Sequence, residues 1–169
     1  ANRGVPDEDA LAEAQLQAIV RLKTDEIGFW RKAIMQNATY FCNTPYAARR
    51  AQSFLADPAL PSAHVEMMAW LDEVRYDNWF EQVILLDTNA MPVIWSPVNS
   101  ICELCPEGVR VAFEAMGERR VRSCDIHRAE SHAEARMTIV TPLLASNTAT
   151  NGAAVPETIV GALAWVLDP

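Results

Sequence analysis

Positive charge is scarce in this chain. Fourteen Lys and Arg stand against 22 Asp and Glu, a net of -8, which argues against a phosphate-binding surface and leaves nucleic acid outside the expected partners. Long apolar runs are missing too: none approaches the roughly 20 residues that cross a bilayer, and no basic, apolar, small-residue leader opens the sequence. There is no internal repeat and no low-complexity tract, so repeat architectures drop out. Cysteine is limited to four residues, a number compatible with two disulfides outside the cytosol or with thiols and a metal inside it. What the chain does have is 169 residues, half of them hydrophobic, enough for one well-buried core and few for two, so residues 1–169 are read as a single domain. The abrupt start at Ala1-Asn2-Arg3-Gly4 and the abrupt stop at Asp168-Pro169 lead us to expect a piece of something larger.

The strongest local signal lies in the last third. Segments Arg136 to Ala145 and Glu157 to Leu167 are rich in β-branched and large apolar residues, and Asn147 to Gly152 between them is turn chemistry, so the pair reads as an antiparallel hairpin. The first half has a different period. A helix opens after Pro6, where Asp7, Glu8 and Asp9 favour the positive end of the dipole, and only Gly28 interrupts it before about Asn43. Its apolar stripe is Leu16, Val20, Ile27, Trp30, Ile34 and Phe41. Such a length, far beyond the ordinary helix of about 11–12 residues, fits either a core helix that overhangs its sheet or one that continues from a membrane span. Thr44-Pro45 reads as N-cap and first helical residue of a short helix through Leu55. Ser62 opens a third helix through Val74, with Val65, Met68, Ala69 and Leu71 or Asp72 along its buried edge.

At Gln82 the period changes. Val83-Ile84-Leu85-Leu86, a turn at Asp87-Thr88-Asn89, and Val93-Ile94-Trp95 read as strand, turn, strand. Segment 106–117 is a helix bounded by Pro106 and Gly117, with Val109, Ala112, Phe113 and Met116 on one face. Val121 to His127 is a third strand, and the hairpin supplies the fourth and fifth. Residues 7–80 are therefore mainly helical stalk and cover, and 81–169 form a five-stranded antiparallel PAS-like sheet with flanking helices: an α+β fold.

The stretch Leu22-Lys23, Ile27, Trp30-Arg31 followed by Phe54-Leu55-Ala56-Asp57-Pro58 resembles the helical stalk of extracytoplasmic PAS-like sensor domains, the Cache or PDC group of membrane histidine kinases and diguanylate cyclases. Leu85-Leu86-Asp87 with Pro92-Val93 resembles that group's first hairpin, and Asp125-Ile126-His127-Arg128 resembles its third strand. Val140-Thr141-Pro142-Leu143, Val160-Gly161-Ala162-Leu163 and Leu167-Asp168-Pro169 resemble its final hairpin. Cys102-Glu103-Leu104-Cys105 and the polar loop from Ser146 to Pro156 depart from it. The resemblance implies a periplasmic module between two membrane spans in a two-component or cyclase system. It implies no chemistry in this chain, a small-molecule ligand, and a homodimer along the first helix that passes on occupancy as a shift between subunits.

Other chemistries compete. His64-Val65-Glu66 with a later Cys102-Glu103-Leu104-Cys105 is the residue set of a zinc-dependent deaminase, His64, Cys102 and Cys105 as ligands and Glu66 as proton shuttle. Against it, Ile101 stands where Pro is needed and no strand precedes His64. A structural zinc on Cys102, Cys105, Cys124 and His127 is a second reading, opposed by strand alternation, which sends Cys124 and His127 to opposite faces unless the strand ends between them. The expectation is no cofactor. For a sensor's pocket, the candidates are Arg75, Tyr76 and Trp79 before the first strand, Trp95 on the second, and Asp125 and His127 on the third. Asp125 and His127 share a face with Ser123 by alternation, and a carboxylate beside an imidazole suits an amine or a carboxylic acid. Tyr76, Trp79 and Trp95 also fit plain core roles, and Asp125 an ion pair with Arg122 or Arg128.

Overall fold

The structure, a computed structural model, describes residues 8–42, 44–77, 80–102, 104–128, 135–145 and 157–167. For Glu8, Cys42, Tyr76, Asp77, His127 and Arg128 the backbone alone is described. The elements are α1 (Glu8–Cys42), α2 (Pro45–Ala56), α3 (Pro61–Asp77), β1 (Gln82–Leu86), β2 (Pro92–Ser96), α4 (Pro106–Glu118), β3 (Arg122–Ser123), β4 (His127–Arg128), β5 (Ala135–Ala145) and β6 (Thr158–Leu167). The chain divides into two units, Ala1–Gln36 and Asn37–Pro169.

In the first unit α1 is continuous helix, and its apolar side chains face solvent. Leu11, Leu16, Ile19, Val20, Leu22, Ile27 and Phe29 are each more than half exposed. The expected stripe therefore exists as a pattern but is not buried within this chain along 16–27.

The second unit is built on an antiparallel sheet in the order β2-β1-β6-β5-β3, with β4 pairing β5 beyond β3. Both expected hairpins are present, β1 with β2 and β5 with β6. The expected third strand occupies its place as two short pieces: the Cys124 amide still bonds to the Thr138 carbonyl at 2.9 Å, and the register shifts across residues 125–126 before β4. Cross-strand pairing aligns Ser96, Val83, Trp165, Ile139 and Ser123 in one row, and Trp95, Ile84, Ala164, Val140 and Arg122 in the next. Side chains of successive rows project to opposite faces.

The Trp165 face is covered by α2 and α3. Ala47, Ala48, Ala51 and Phe54 of α2 and Met67, Trp70, Leu71 and Val74 of α3 are buried. This is one position round from the edge expected for α3, and Val65 is two-thirds exposed. The last turn of α1 reaches the same face: Phe41 stacks 5.1 Å from Trp165, and the Thr141 hydroxyl donates to the Ala38 carbonyl at 3.4 Å. Trp165 also meets Phe80 at 4.7 Å and donates its indole N–H to Thr141 at 2.9 Å.

The other face is smaller in grain. Ile84, Leu86, Val140, Ala162, Ala164 and Val166 pack against Val111, Ala112, Ala115 and Met116 of α4. Of the face expected for α4, Ala112 and Met116 are buried and Val109 packs against the cluster, but Phe113 is 54% exposed, and Gly108, Val111 and Ala115 are buried instead. The loop from Pro97 to Cys105 is tied down by Gln82, whose amide donates to Ser100 Oγ at 2.7 Å and the Ile101 carbonyl at 2.9 Å.

Thr44 is the N-cap of α2 by backbone, but its hydroxyl donates back to the Tyr40 carbonyl at 2.7 Å and closes α1 instead. Asp87 Oδ1 accepts from the Asn89 and Met91 amides at 2.8 and 2.9 Å, fixing the β1–β2 turn. Gly161 is required because a Cβ there would lie 2.2 Å from the Leu86 carbonyl oxygen.

Candidate functional site

A cleft of about 430 Å³ opens between α2 and α3 on the side away from the sheet's centre. Its formation follows from the sequence of α2. Ala47, Ala48 and Ala51 let that helix lie close to the sheet, and the opposite positions then carry Tyr46, Arg49, Arg50 and Ser53. From α3 come Ala63, Glu66 and Met67, and Phe54 closes the inner wall. The Arg50 guanidinium lies 5.1 Å from the Tyr46 ring centre and 5.9 Å from that of Trp70, an arrangement that holds a cation on aromatic faces. Among the described residues, no carboxylate pairs with Arg50 and no cation pairs with Glu66. The cleft thus offers two guanidinium groups, Arg49 and the aromatic-held Arg50, one carboxylate, Glu66, and an aromatic wall to the same small volume.

A second polar group lies at the α3–β2 contact. Buried Ser96 donates to Asp72 and accepts from Arg75 Nε at 3.0 Å, and Arg75 lies 3.9 Å from Asp72. This is where sequence candidate Arg75 goes: it braces helix to strand. Trp95 occupies the opposite face, packed against the α4 core with its indole N–H on the Ser100 carbonyl at 2.9 Å. Asp125 is exposed in the link between β3 and β4, where alternation no longer applies because the ladder is broken. His127 opens β4 opposite Arg136. The Tyr76 and His127 side chains and the whole of Trp79 lie outside the described residues. The sheet therefore separates Arg75 from Trp95.

The deaminase constellation is not assembled. Glu66 lines the α2–α3 cleft and the His64 ring stands 6.3 Å from Phe54, whereas Cys102 packs on the α4 side of the sheet and Cys105 caps α4. The sheet lies between the two halves of the motif, so a single ion cannot bridge them. Among the described residues no group of three or more His, Cys, Asp or Glu is arranged to hold a metal. Of the structural-zinc set, Cys105 Sγ accepts from the Gly108 amide at 3.3 Å and Cys124 Sγ from the Thr138 amide at 3.1 Å. The strand does end between Cys124 and His127, removing the alternation objection. Burial pushes the Cys124 thiol pKa up, opposed by its hydrogen bonds to Thr138.

Sequence reasoning missed Tyr46, Arg49, Arg50 and Ser53. The signal was present in α2, where three alanines at helical spacing mark the buried side and leave Tyr46, Arg50 and Ser53 spaced by four and three on the other.

No protein-family model and no curated protein sequence matches the chain. Solved structures do. The ligand-binding domain of the Pseudomonas aeruginosa PAO1 amino acid chemoreceptor PctC, in complex with GABA, aligns with a TM-score of 0.55 at 15% identity, over 94% of this chain and 62% of that one. The extracellular domain assigned to the histidine kinase vpHK1S-Z8 aligns with a TM-score of 0.57 at 12% identity, over 95% of this chain and 58% of that one. The chain spans about three fifths of the length of each solved chain. Over nearly all its residues, then, this chain has the fold of those two sensor domains, with a long helix first and an antiparallel PAS-like sheet behind it.

Proposed function

We propose that the chain is the extracytoplasmic ligand-sensing domain of a membrane-bound signalling protein, a histidine kinase, chemoreceptor or diguanylate cyclase, and performs no chemistry itself. The observation that carries this reading is the agreement in fold with two such outer domains over 94% and 95% of the chain. The ligand class follows from the cleft. Arg50, held on Tyr46 and Trp70, presents a planar donor to a carboxylate, and Glu66 across the cleft suits an ammonium group. A small zwitterion carries both, as does the GABA bound to PctC. Of the predicted set, Arg75 braces α3 to β2 and Trp95 packs on the α4 side of the sheet, so neither lines this cleft.

The same geometry supports a route for the signal. Helix α2 packs on β5 and β6, and these two strands supply Thr141 and Trp165, which seat the last turn of α1. A ligand that draws α2 toward α3 acts on the surface holding that turn, and its differential affinity for the two arrangements sets the size of the response. A second copy pairs along α1, where Leu16, Val20 and Ile27 are exposed at heptad-compatible spacing.

The test is a thermal-shift series with GABA and α-amino acids against amines and carboxylates that carry one charge only. Zwitterions should raise the melting temperature in proportion to the logarithm of concentration above Kd, and Arg50→Ala should abolish the shift while leaving the unliganded protein folded. A screen in which no zwitterion shifts the wild type defeats the ligand assignment. Ile27→Glu should leave the protein monomeric in sedimentation, and a monomeric wild type defeats the helix pairing.

A further inference from the structure

Two thiols converge on the start of α4, on the sheet face opposite the cleft. Cys105 is the N-cap of α4, with extended backbone (φ -77°, ψ 163°), and its Sγ accepts the Gly108 amide. Cys124 follows β3, is 2% exposed, donates its amide to the Thr138 carbonyl at 2.9 Å and accepts the Thr138 amide on Sγ at 3.1 Å. Gly108 and Thr138 are neighbours: a Cβ built on Gly108 would stand 3.5 Å from Thr138 Cγ2. Each sulfur is thus hydrogen-bonded to one member of a single neighbouring pair. Charge on Cys105 also acts on the Cys124 thiol.

We propose that Cys105 and Cys124 are a redox pair whose disulfide fastens the first turn of α4 to the β3–β5 edge. The reaction requires a small-molecule disulfide as oxidant. Cys105 is half-buried and is the accessible member; as thiolate it attacks one sulfur of the oxidant, forming a mixed disulfide and expelling one small thiol. Cys124, buried beneath it, then loses its proton and attacks Cys105 Sγ, so that the protein S–S bond forms and the second small thiol leaves. In sum, two protein thiols give up two electrons and two protons, and the oxidant's S–S bond becomes two S–H bonds. Two pairings are rivals: Cys102–Cys105, within the same loop, and Cys102–Cys124, since Cys102 packs against the cluster that contains Cys124.

This pair stands apart from the cleft and its ligand. The native protein is incubated with oxidised glutathione without denaturant, remaining thiols are alkylated, and peptides are identified by mass spectrometry. The expected result is a Cys105–Cys124 linked peptide, loss of two alkylation sites, and a melting temperature several degrees higher that dithiothreitol reverses. Cys102→Ser should retain all three signs, and Cys105→Ser, whose hydroxyl keeps the helix cap, should lose them. Alkylation of both Cys105 and Cys124 after oxidation overturns the proposal, and so does a peptide linking Cys102 to Cys105 or to Cys124.

Discussion

On β6, Gly161, Leu163 and Trp165 belong to the face that meets α2, α3 and the end of α1, whereas Ala162, Ala164 and Val166 belong to the face that meets α4. One strand therefore supplies a large, aromatic surface on one side and a small-residue surface on the other. The difference shows how a single sheet can leave room for a cleft on one side and be closely packed on the other. The Trp165 face is covered by α2, α3 and the last turn of α1, and a cleft lies between the first two. The α4 face meets Val111, Ala112 and Ala115 at close range and is closed over by a loop tied to Gln82. Small residues let backbones approach and leave little room for adjustment.

The severest way to break that contrast is Trp165→Ala. The side chain is fully buried and contacts Phe41, Phe80 and Thr141, so its removal should cost about 3–5 kcal/mol, a large share of the ~5–15 kcal/mol of a typical domain. Urea unfolding at constant slope measures this. On the opposite face the informative change is addition: Ala164→Leu, at a site with no exposed surface between Ile84 and Val140, should cost about 1–3 kcal/mol by overpacking against α4. If Ala164→Leu were neutral, the α4 face would be loose and the comparison would fail.

Much of this architecture was legible beforehand, because it depended on period and punctuation. The two hairpins show in their continuous apolar, β-branched-rich runs and in the Asp87 and Asn147 turn regions, and α4 shows in Pro106 and the apolar spacing behind it. The shift of α3 and α4 from the expected edges did not show in the pattern. On α4 a large side chain such as Phe113 weighs heavily in a sequence pattern, yet the small residues of that sheet face admit Gly108 and Ala115, while on α3 Val65 is exposed and Met67, Trp70 and Val74 are buried. The break at residues 124–126 was hidden because Cys-Asp-Ile alternates as a strand would. The cleft was hidden because it depends on how near α2 lies to the sheet, which is a property of two elements and not of one. The pocket set assembled from Arg75, Trp95 and Asp125 came from proximity to strand ends, and pleat alternation places Trp95 across the sheet from Ser96 and hence from Arg75.

Alkaline pH should probe the α4 face selectively. Burial raises the folded pKa of Cys124 above its ordinary value of 9.0, so the fold favours the neutral thiol. Stability from this group is complete below about pH 9 and is lost as pH rises through the folded pKa, because the unfolded chain ionises first. Wild type should therefore lose more melting temperature between about pH 8 and pH 10.5 than Cys124→Ala does, since the alanine variant lacks the titrating group. Equal losses in the two proteins would show that other groups govern the alkaline limb. Nothing comparable is expected of Trp165→Phe, which leaves the thiol and its surroundings in place on the far side of the sheet.

The smallest effect sought is a gain. Helix α4 ends at Arg119 in the left-handed region, φ 54° and ψ 38°, where its amide bonds back to the Ala115 and Met116 carbonyls. A residue with a Cβ is strained there by about 1 kcal/mol relative to glycine, and Gly117, which the sequence offered as the helix end, lies two positions too early to relieve it. Helix α2 closes differently, through Asp57 at φ -148°, a conformation open to any residue. Arg119→Gly should thus stabilise by about 0.5–1 kcal/mol, whereas Asp57→Gly should not stabilise at all, because glycine there only adds freedom to the unfolded chain. Chemical denaturation of the two variants side by side checks the pair, and a gain at residue 57 matching that at 119 would mean that the strained cap contributes nothing distinctive to the α4 face.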